Sequence, residues 1–268
     1  MLDKVVVFIF GSIVGSFLNV CIHRLPLSES IVRPRSYCPH CKRLILWYDN
    51  VPLLSYIILR ARCRFCKQKI SFRYFLVELL SAFIFLLFYL RVGLGFNFFF
   101  YILFTCGLII ATFVDIQHRI IPDEISLGGI VVGFHLNLFR SLLFSKQHNL
   151  GPWFDSLLGI LVGGGIIYLT GLIFDVIYFR LLKRPPIQGQ TSSMGGGDVK
   201  LLAMVGAFLG WRYALLTFFL APFLGVLFGT MNLLIKKDHT LPYGPFLSLA
   251  AFLSIFWFDR IIGFLFVI

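Results

Sequence analysis

The sequence predicts an all-α polytopic membrane protein with about eight transmembrane helices and one small cysteine-bearing domain between helices 1 and 2. Three observations predict this. Hydrophobic residues make up 59% of the 268 positions and charged residues 13%, whereas a soluble domain carries about a quarter charged residues. Mean hydropathy is +0.90. Apolar runs long enough to cross a bilayer recur along the chain, with one long polar interruption that holds two C-x-x-C pairs.

In chain order the expected spans are 5–22, 75–92, 96–115, 121–140, 156–180, 199–210, 213–235 and 243–265. The first run, "VVVFIFGSIVGSFLNVCI", is long for a signal-peptide core and lacks a small-residue cleavage site, so a retained first helix is expected. Gly11 and Gly15 within it suit close helix packing, and Asn19 suits a structural hydrogen bond. The sixth span is short and interrupted by glycine, which leaves it tilted, re-entrant or fused with the seventh. The expected division is 1–22 as the first helix, 23–74 as the polar domain and 75–268 as the multi-helix domain. No internal repeat stands out.

The formal net charge of +12 does not point to nucleic acid, because the charge is placed by the membrane. Of 24 Lys and Arg, 11 fall between Arg24 and Arg73. With that segment inside, 18 basic residues lie inside and 6 outside. The excess of Lys and Arg marks the cytoplasmic side, so the N-terminus is expected outside and the polar segment in the cytoplasm.

A polar segment of about 50 residues is too small to hold itself together by its core alone. Its staple is "YCPHCKR" and "RCRFCKQ": Cys38 and Cys41 form one pair, Cys63 and Cys66 the other, with 21 residues between. This is close to zinc-ribbon spacing, and four thiolates satisfy a tetrahedral Zn²⁺. Disulfides do not suit a reducing cytoplasm. A closed four-thiolate site leaves no open position, so the zinc is expected to be structural. His40 is read as a spacer, and Cys21 and Cys106 as ordinary buried residues.

Only 12 acids occur in the chain, and ionisable groups at membrane depth tend to mark function. Asp115 ends the third span in "IIATFVDIQHRIIPDEIS", and Asp198 opens the sixth in "MGGGDVKLL". Both fall at the cytoplasmic edge. Two facing carboxylates share a proton, which is what an aspartic protease needs to activate water and polarise a carbonyl. Gly195, Gly196 and Gly197 would let a substrate backbone lie beside Asp198 and permit unusual φ/ψ values. Two readings stay open on these residues: a catalytic pair, or a flexible linker with Asp198 capping a helix. Asp123 is read as a cap for the fourth span and Glu78 as the partner of a basic residue of the polar domain; for Asp175, late in the fifth span, a second functional acid is the minority reading.

Four blocks resemble the bacterial type IV prepilin peptidases: "GSFLNVCIHRLP" (11–26), "CPHC" through "NVPLLSYIILRARCRFCKQKISFRYFLVELL" (38–81), "VDIQHRIIPDEIS" (114–126) and "MGGGDVKLLAMVGAFLGW" (194–211). A weaker fifth is "LPYGPFLSLAAF" (241–252). The resemblance implies an eight-helix GxGD-type aspartic protease of the bacterial inner membrane with Asp115 and Asp198 as the catalytic pair. It implies that the substrates are prepilins or type II secretion pseudopilins, cut at a basic leader. It also implies N-methylation of the new N-terminus with S-adenosylmethionine, for which no glycine-rich cofactor fingerprint is visible. Many relatives carry an acid where this chain has Gln117, which sharpens the choice of Asp115. The loop "KRPPIQGQTSSM" lacks an acid often found there. A transporter or proton relay using the same carboxylates is the competing class.

Overall fold

The computed structural model describes residues 2–144, 151–182, 195–236 and 242–266. Among them the chain is almost wholly helical, with α1 (Leu2–Arg24), a short α2 (Leu54–Ile58), α3 (Phe72–Val92), α4 (Phe96–His118), α5 (Asp123–Phe144), α6 (Gly151–Asp175), α7 (Gly196–Leu209), α8 (Trp211–Lys236) and α9 (Gly244–Phe266). A π-helical turn, Val176–Leu181, prolongs α6. Seven of the helices are long and apolar enough to cross a membrane. The chain forms two compact units, residues 1–110 and 111–268.

In the first unit α1 packs against α3. The backbones meet at Gly11 and Gly15, where a Cβ would lie 2.8 Å from the Phe85 Cβ and 2.7 Å from the Glu78 Cα. Such small residues let membrane helices approach closely. Asn19 Nδ2 donates to the Tyr74 carbonyl at 2.9 Å, tying the two helices together. Glu78 does not pair with a basic residue, as its position near the polar domain suggested. Its Oε2 instead accepts the Leu53 amide at 2.8 Å. Leu53 has φ 62°, a backbone region costly for a residue with a Cβ, and this bond helps to hold it there.

In the second unit α7 is the hub, packing against α5, α6, α8 and α9. Every residue from Leu201 to Phe208 is buried. The α6–α7 contact is backbone on backbone: a Cβ on Gly159 would lie 2.2 Å from the Gly206 carbonyl oxygen, and one on Gly163 2.4 Å from that of Leu202. The last carbonyls of a helix have no intrahelical partner. Here Asn137 Nδ2 of α5 donates to the Ala207 and Phe208 oxygens at 2.9 and 3.0 Å, and Ser156 Oγ of α6 donates to Ala207 at 2.7 Å.

At 14 residues, α7 rises only about 21 Å, less than the ~30 Å of a hydrocarbon core. Connectivity nevertheless makes it a crossing. The start of α9 touches Asp115 at the end of α4, beside the start of α7. Helix α8 is 26 residues, or about 39 Å. The seven residues from 237 to 243 that join α8 to α9 reach at most about 29 Å over their eight Cα steps, less than the length of α8. The start of α8 must therefore lie at the far end, and α7 carries the chain there. Gly210, at φ 91°, ends α7 and separates it from α8, so the two are not fused.

Candidate active site

Asp115 sits in the last turn of α4 and is buried. Its Oδ2 accepts the main-chain N–H of Gly244 at 2.9 Å. Asp198 is half-buried in the first turn of α7, where the helix dipole favours an anion. The cap position is Gly195, which has no side chain to offer, so Asp198 stands at the third helical position rather than at the cap. Gly244, whose N–H bonds Asp115, and Gly197, the neighbour of Asp198, both abut Ile121, so the two carboxylates lie at the same end of the unit.

One aliphatic side chain organises this end of the unit. A Cβ on Gly197 would lie 3.1 Å from the Ile121 Cβ, and one on Gly244 would lie 3.3 Å from the Ile121 Cδ1. Ile121, in the turn after α4, thus packs against the starts of both α7 and α9. Tyr243 lies on the same side. Burial, and then the charge on Asp198, push its phenol up to about 12, so the hydroxyl keeps its proton at neutral pH.

The three glycines play separate parts. A Cβ on Gly195 would meet the Asp198 Oδ2 at 3.1 Å, Gly197 abuts Ile121, and nothing lies within 4 Å of the Cβ position on Gly196. None of the three has a positive φ. The glycines supply space rather than the unusual backbone angles expected of them.

A cavity of about 630 Å³ opens beside Gly196 and Val199. Tyr168, Asp175, Phe179 and Arg180 line it further along α6 and its π-helical turn. Asp175 therefore belongs to this cavity's wall. Asp123 is exposed and paired with Lys200 of α7 at 2.6 Å. It is the first residue of α5, and the first-turn amides of Ile125 and Ser126 go to the Pro122 carbonyl, so Asp123 does not cap that helix. Gln117 is exposed. The 183–194 loop before the glycines falls outside the described residues.

The four cysteines of the first unit form a separate centre. The Sγ atoms of Cys38, Cys41, Cys63 and Cys66 all lie within 4.8 Å of one another. The two C-x-x-C turns are built alike. Lys42 and Lys67 donate back to the Cys38 and Cys63 carbonyls at 2.9 and 3.0 Å. Each turn is closed by an isolated antiparallel bridge, Tyr37 to Leu44 and Arg62 to Lys69. Lys42 and Lys67 have φ 58° and 57°. Burial raises the Cys63 thiol, but the amides of Cys66 and Phe65 outweigh it and bring it down to about 7. Crowded thiols need a cation before all four can ionise, and this donor set fits zinc.

Sequence reading missed Gly244, Tyr243 and Ile121. A signal existed for the first two, since both lie in the "LPYGPFLSLAAF" block.

A family profile described as "Bacterial Peptidase A24 N-terminal domain" matches residues 9–92, and one described as "Type IV leader peptidase family" matches residues 102–230. Several curated proteins named prepilin leader peptidase/N-methyltransferase are similar to the chain. One from Myxococcus xanthus is 37% identical over 233 residues, covering 87% of this chain and 64% of the relative. One from Aeromonas salmonicida is 31% identical over 283 residues, covering 95% of this chain and 91% of the relative. One from Pseudomonas aeruginosa is 31% identical over 282 residues, covering 94% and 90% respectively. No solved structure matches the chain significantly. The chain therefore belongs to the type IV leader peptidase family, the prepilin leader peptidases and N-methyltransferases.

Proposed function

We propose that this protein removes the leader from type IV prepilins or type II secretion pseudopilins with Asp115 and Asp198 as its catalytic pair. The observation that supports this reading most is that the end of α4 with Asp115 and the start of α7 with Asp198 meet at one place, around Ile121 and Gly244. Two such carboxylates hold one proton between them. The ionised one takes a proton from water as the oxygen attacks the scissile carbonyl. The protonated one donates to the developing oxyanion, and the leaving amine then takes a proton from the pair. Gly196, with open space around it, leaves room for the substrate backbone beside Asp198. The apolar stem of the substrate stays in the bilayer.

The excess of Lys and Arg supports a cytoplasmic position for this end and for the cysteine domain at the inner membrane, with the N-terminus outside. Cys38, Cys41, Cys63 and Cys66 hold a structural zinc ion that staples the loop between α1 and α3. S-adenosylmethionine is the proposed methyl donor, on the strength of the relatives' names. When bound it supplies an electrophilic methyl group to the freed amine. The cavity along α6 and α7 does not fit it well: it offers one carboxylate, Asp175, to a ligand with an ammonium, a sulfonium and two ribose hydroxyls.

Mass spectrometry of a substrate pilin before and after incubation tests the reading. Loss of the leader, and the mass of one methyl group when S-adenosylmethionine is present, are expected. An intact pilin together with proton-coupled flux in vesicles would favour a proton relay instead.

A further inference from the structure

The atom that holds Asp115 comes from a helix start 129 residues away in the chain. In α9, Tyr243 occupies the cap position, and its carbonyl accepts the amides of Phe246 and Leu247 at 3.0 and 3.1 Å. First-turn amides have no partner within their own helix. Pro245 has no N–H to give, and Phe246 bonds back to Tyr243. Gly244 is left with a buried N–H that goes to Asp115 Oδ2 at 2.9 Å. The geometry also demands glycine there. A Cβ would stand 2.7 Å from that same oxygen, and the backbone φ is not positive, so space rather than conformation selects the residue.

We propose that Gly244 is a positioning residue for leader cleavage: its main-chain N–H, at the N-terminus of α9, holds the Asp115 carboxylate in the orientation that faces Asp198. The inference rests on Asp115 being catalytic. It makes the Tyr243–Gly244–Pro245 turn a third element of the active site, next to the ends of α4 and α7. A carboxylate held by one fixed amide needs no reorganisation as the reaction proceeds. Tyr243 flanks the pair from the same turn with a hydroxyl that stays protonated.

The test removes the N–H with no change of side chain. Replacing Gly244 by glycolate turns that one amide into an ester. It adds no side-chain atom near Asp115, and it keeps the Tyr243 carbonyl in place as a weaker, ester acceptor for the Phe246 and Leu247 amides, an effect a thermal melt of the ester protein reads separately. The full-length ester protein and Gly244→Ala are assayed for prepilin cleavage in detergent, with Gly225→Ala as control, whose Cβ would sit at an ordinary 3.7 Å from the Phe246 ring. The expected result for the ester is a fall in kcat of about 10- to 100-fold, the loss of one hydrogen bond to a charged group, with KM within about threefold. Gly244→Ala loses at least as much, and Gly225→Ala keeps wild-type kinetics. If Gly244→Ala fails to accumulate, the ester decides. An ester protein with wild-type kcat, or one altered only in KM, overturns the positioning role. Asp115→Asn is run alongside: cleavage by that variant would sink the dyad itself, whereas an inactive Asp115→Asn beside a fully active ester sinks only the role of Gly244.

Discussion

Replacing Gly206 by Ala tests whether the α6–α7 contact sets the position of the active site. The added Cβ would stand 2.0 Å from the Gly159 oxygen and 2.2 Å from its carbon. Both are backbone atoms within a helix, so no side chain can swing away. Real Cβ contacts are essentially never below 3.0 Å. The two helices must therefore separate by about 1 Å, and overpacking of this kind costs about 1–3 kcal/mol. Gly206 lies eight residues, or about 12 Å, along α7 from Asp198. A rigid shift of α7 moves Asp198 away from Asp115 by a comparable amount, and a misplacement near 1 Å costs about 100-fold in rate. The assay is leader cleavage by purified protein, read as kcat on a gel, beside a thermal melt. Gly165→Ala, with nothing within 4 Å of its Cβ position, is the control and should cleave normally. Wild-type kcat in a folded Gly206→Ala protein would refute the claim that this packing fixes the dyad.

Three further perturbations follow from the geometry. Changing Cys38, Cys41, Cys63 and Cys66 to Ser should abolish bound zinc, measured by elemental analysis, and lower the melting temperature; wild-type zinc content would remove the assignment. Asn137→Ala leaves the Phe208 carbonyl without its donor, while Ala207 keeps Ser156 Oγ, and should destabilise the protein by about 1–3 kcal/mol in denaturant unfolding, with little change in KM. Glu78→Leu strands the Leu53 amide at its unfavourable φ and should expose the 51–54 loop to protease, with about 1–3 kcal/mol lost; unchanged protection would mean that the bond does not anchor the loop.

The spans were legible because lipid demands long apolar runs and leaves little else to decide. The short α7 was legible as a span, but whether it is tilted, re-entrant or fused with the next was not. Whether it crosses is decided by where α9 begins, and that is a matter of connectivity. Asp115 and Asp198 stood out because acids are scarce in this chain. Their supports did not: Gly244 and Ile121 lie in blocks that the sequence marks, but their roles come only from contacts across the fold. Glu78 was expected to find a cation and found a backbone amide, which no residue type announces. The cysteine domain shows the converse. Its two turns repeat at a spacing of 25 residues, from Cys38 to Cys63 and from Lys42 to Lys67, and the shared C-x-x-C-K pattern shows this in sequence, though not the backbone conformation that goes with it. The lysines share a backbone conformation, and residue identity does not report conformation.

The central claim is that Asp115 and Asp198 together perform the cleavage. Asp115→Asn and Asp198→Asn each keep the size of the side chain and remove its charge. Each variant, purified with its zinc in place and incubated with prepilin, should leave the leader attached, and so should the double variant. Leader release at a wild-type rate by either single variant would contradict the account.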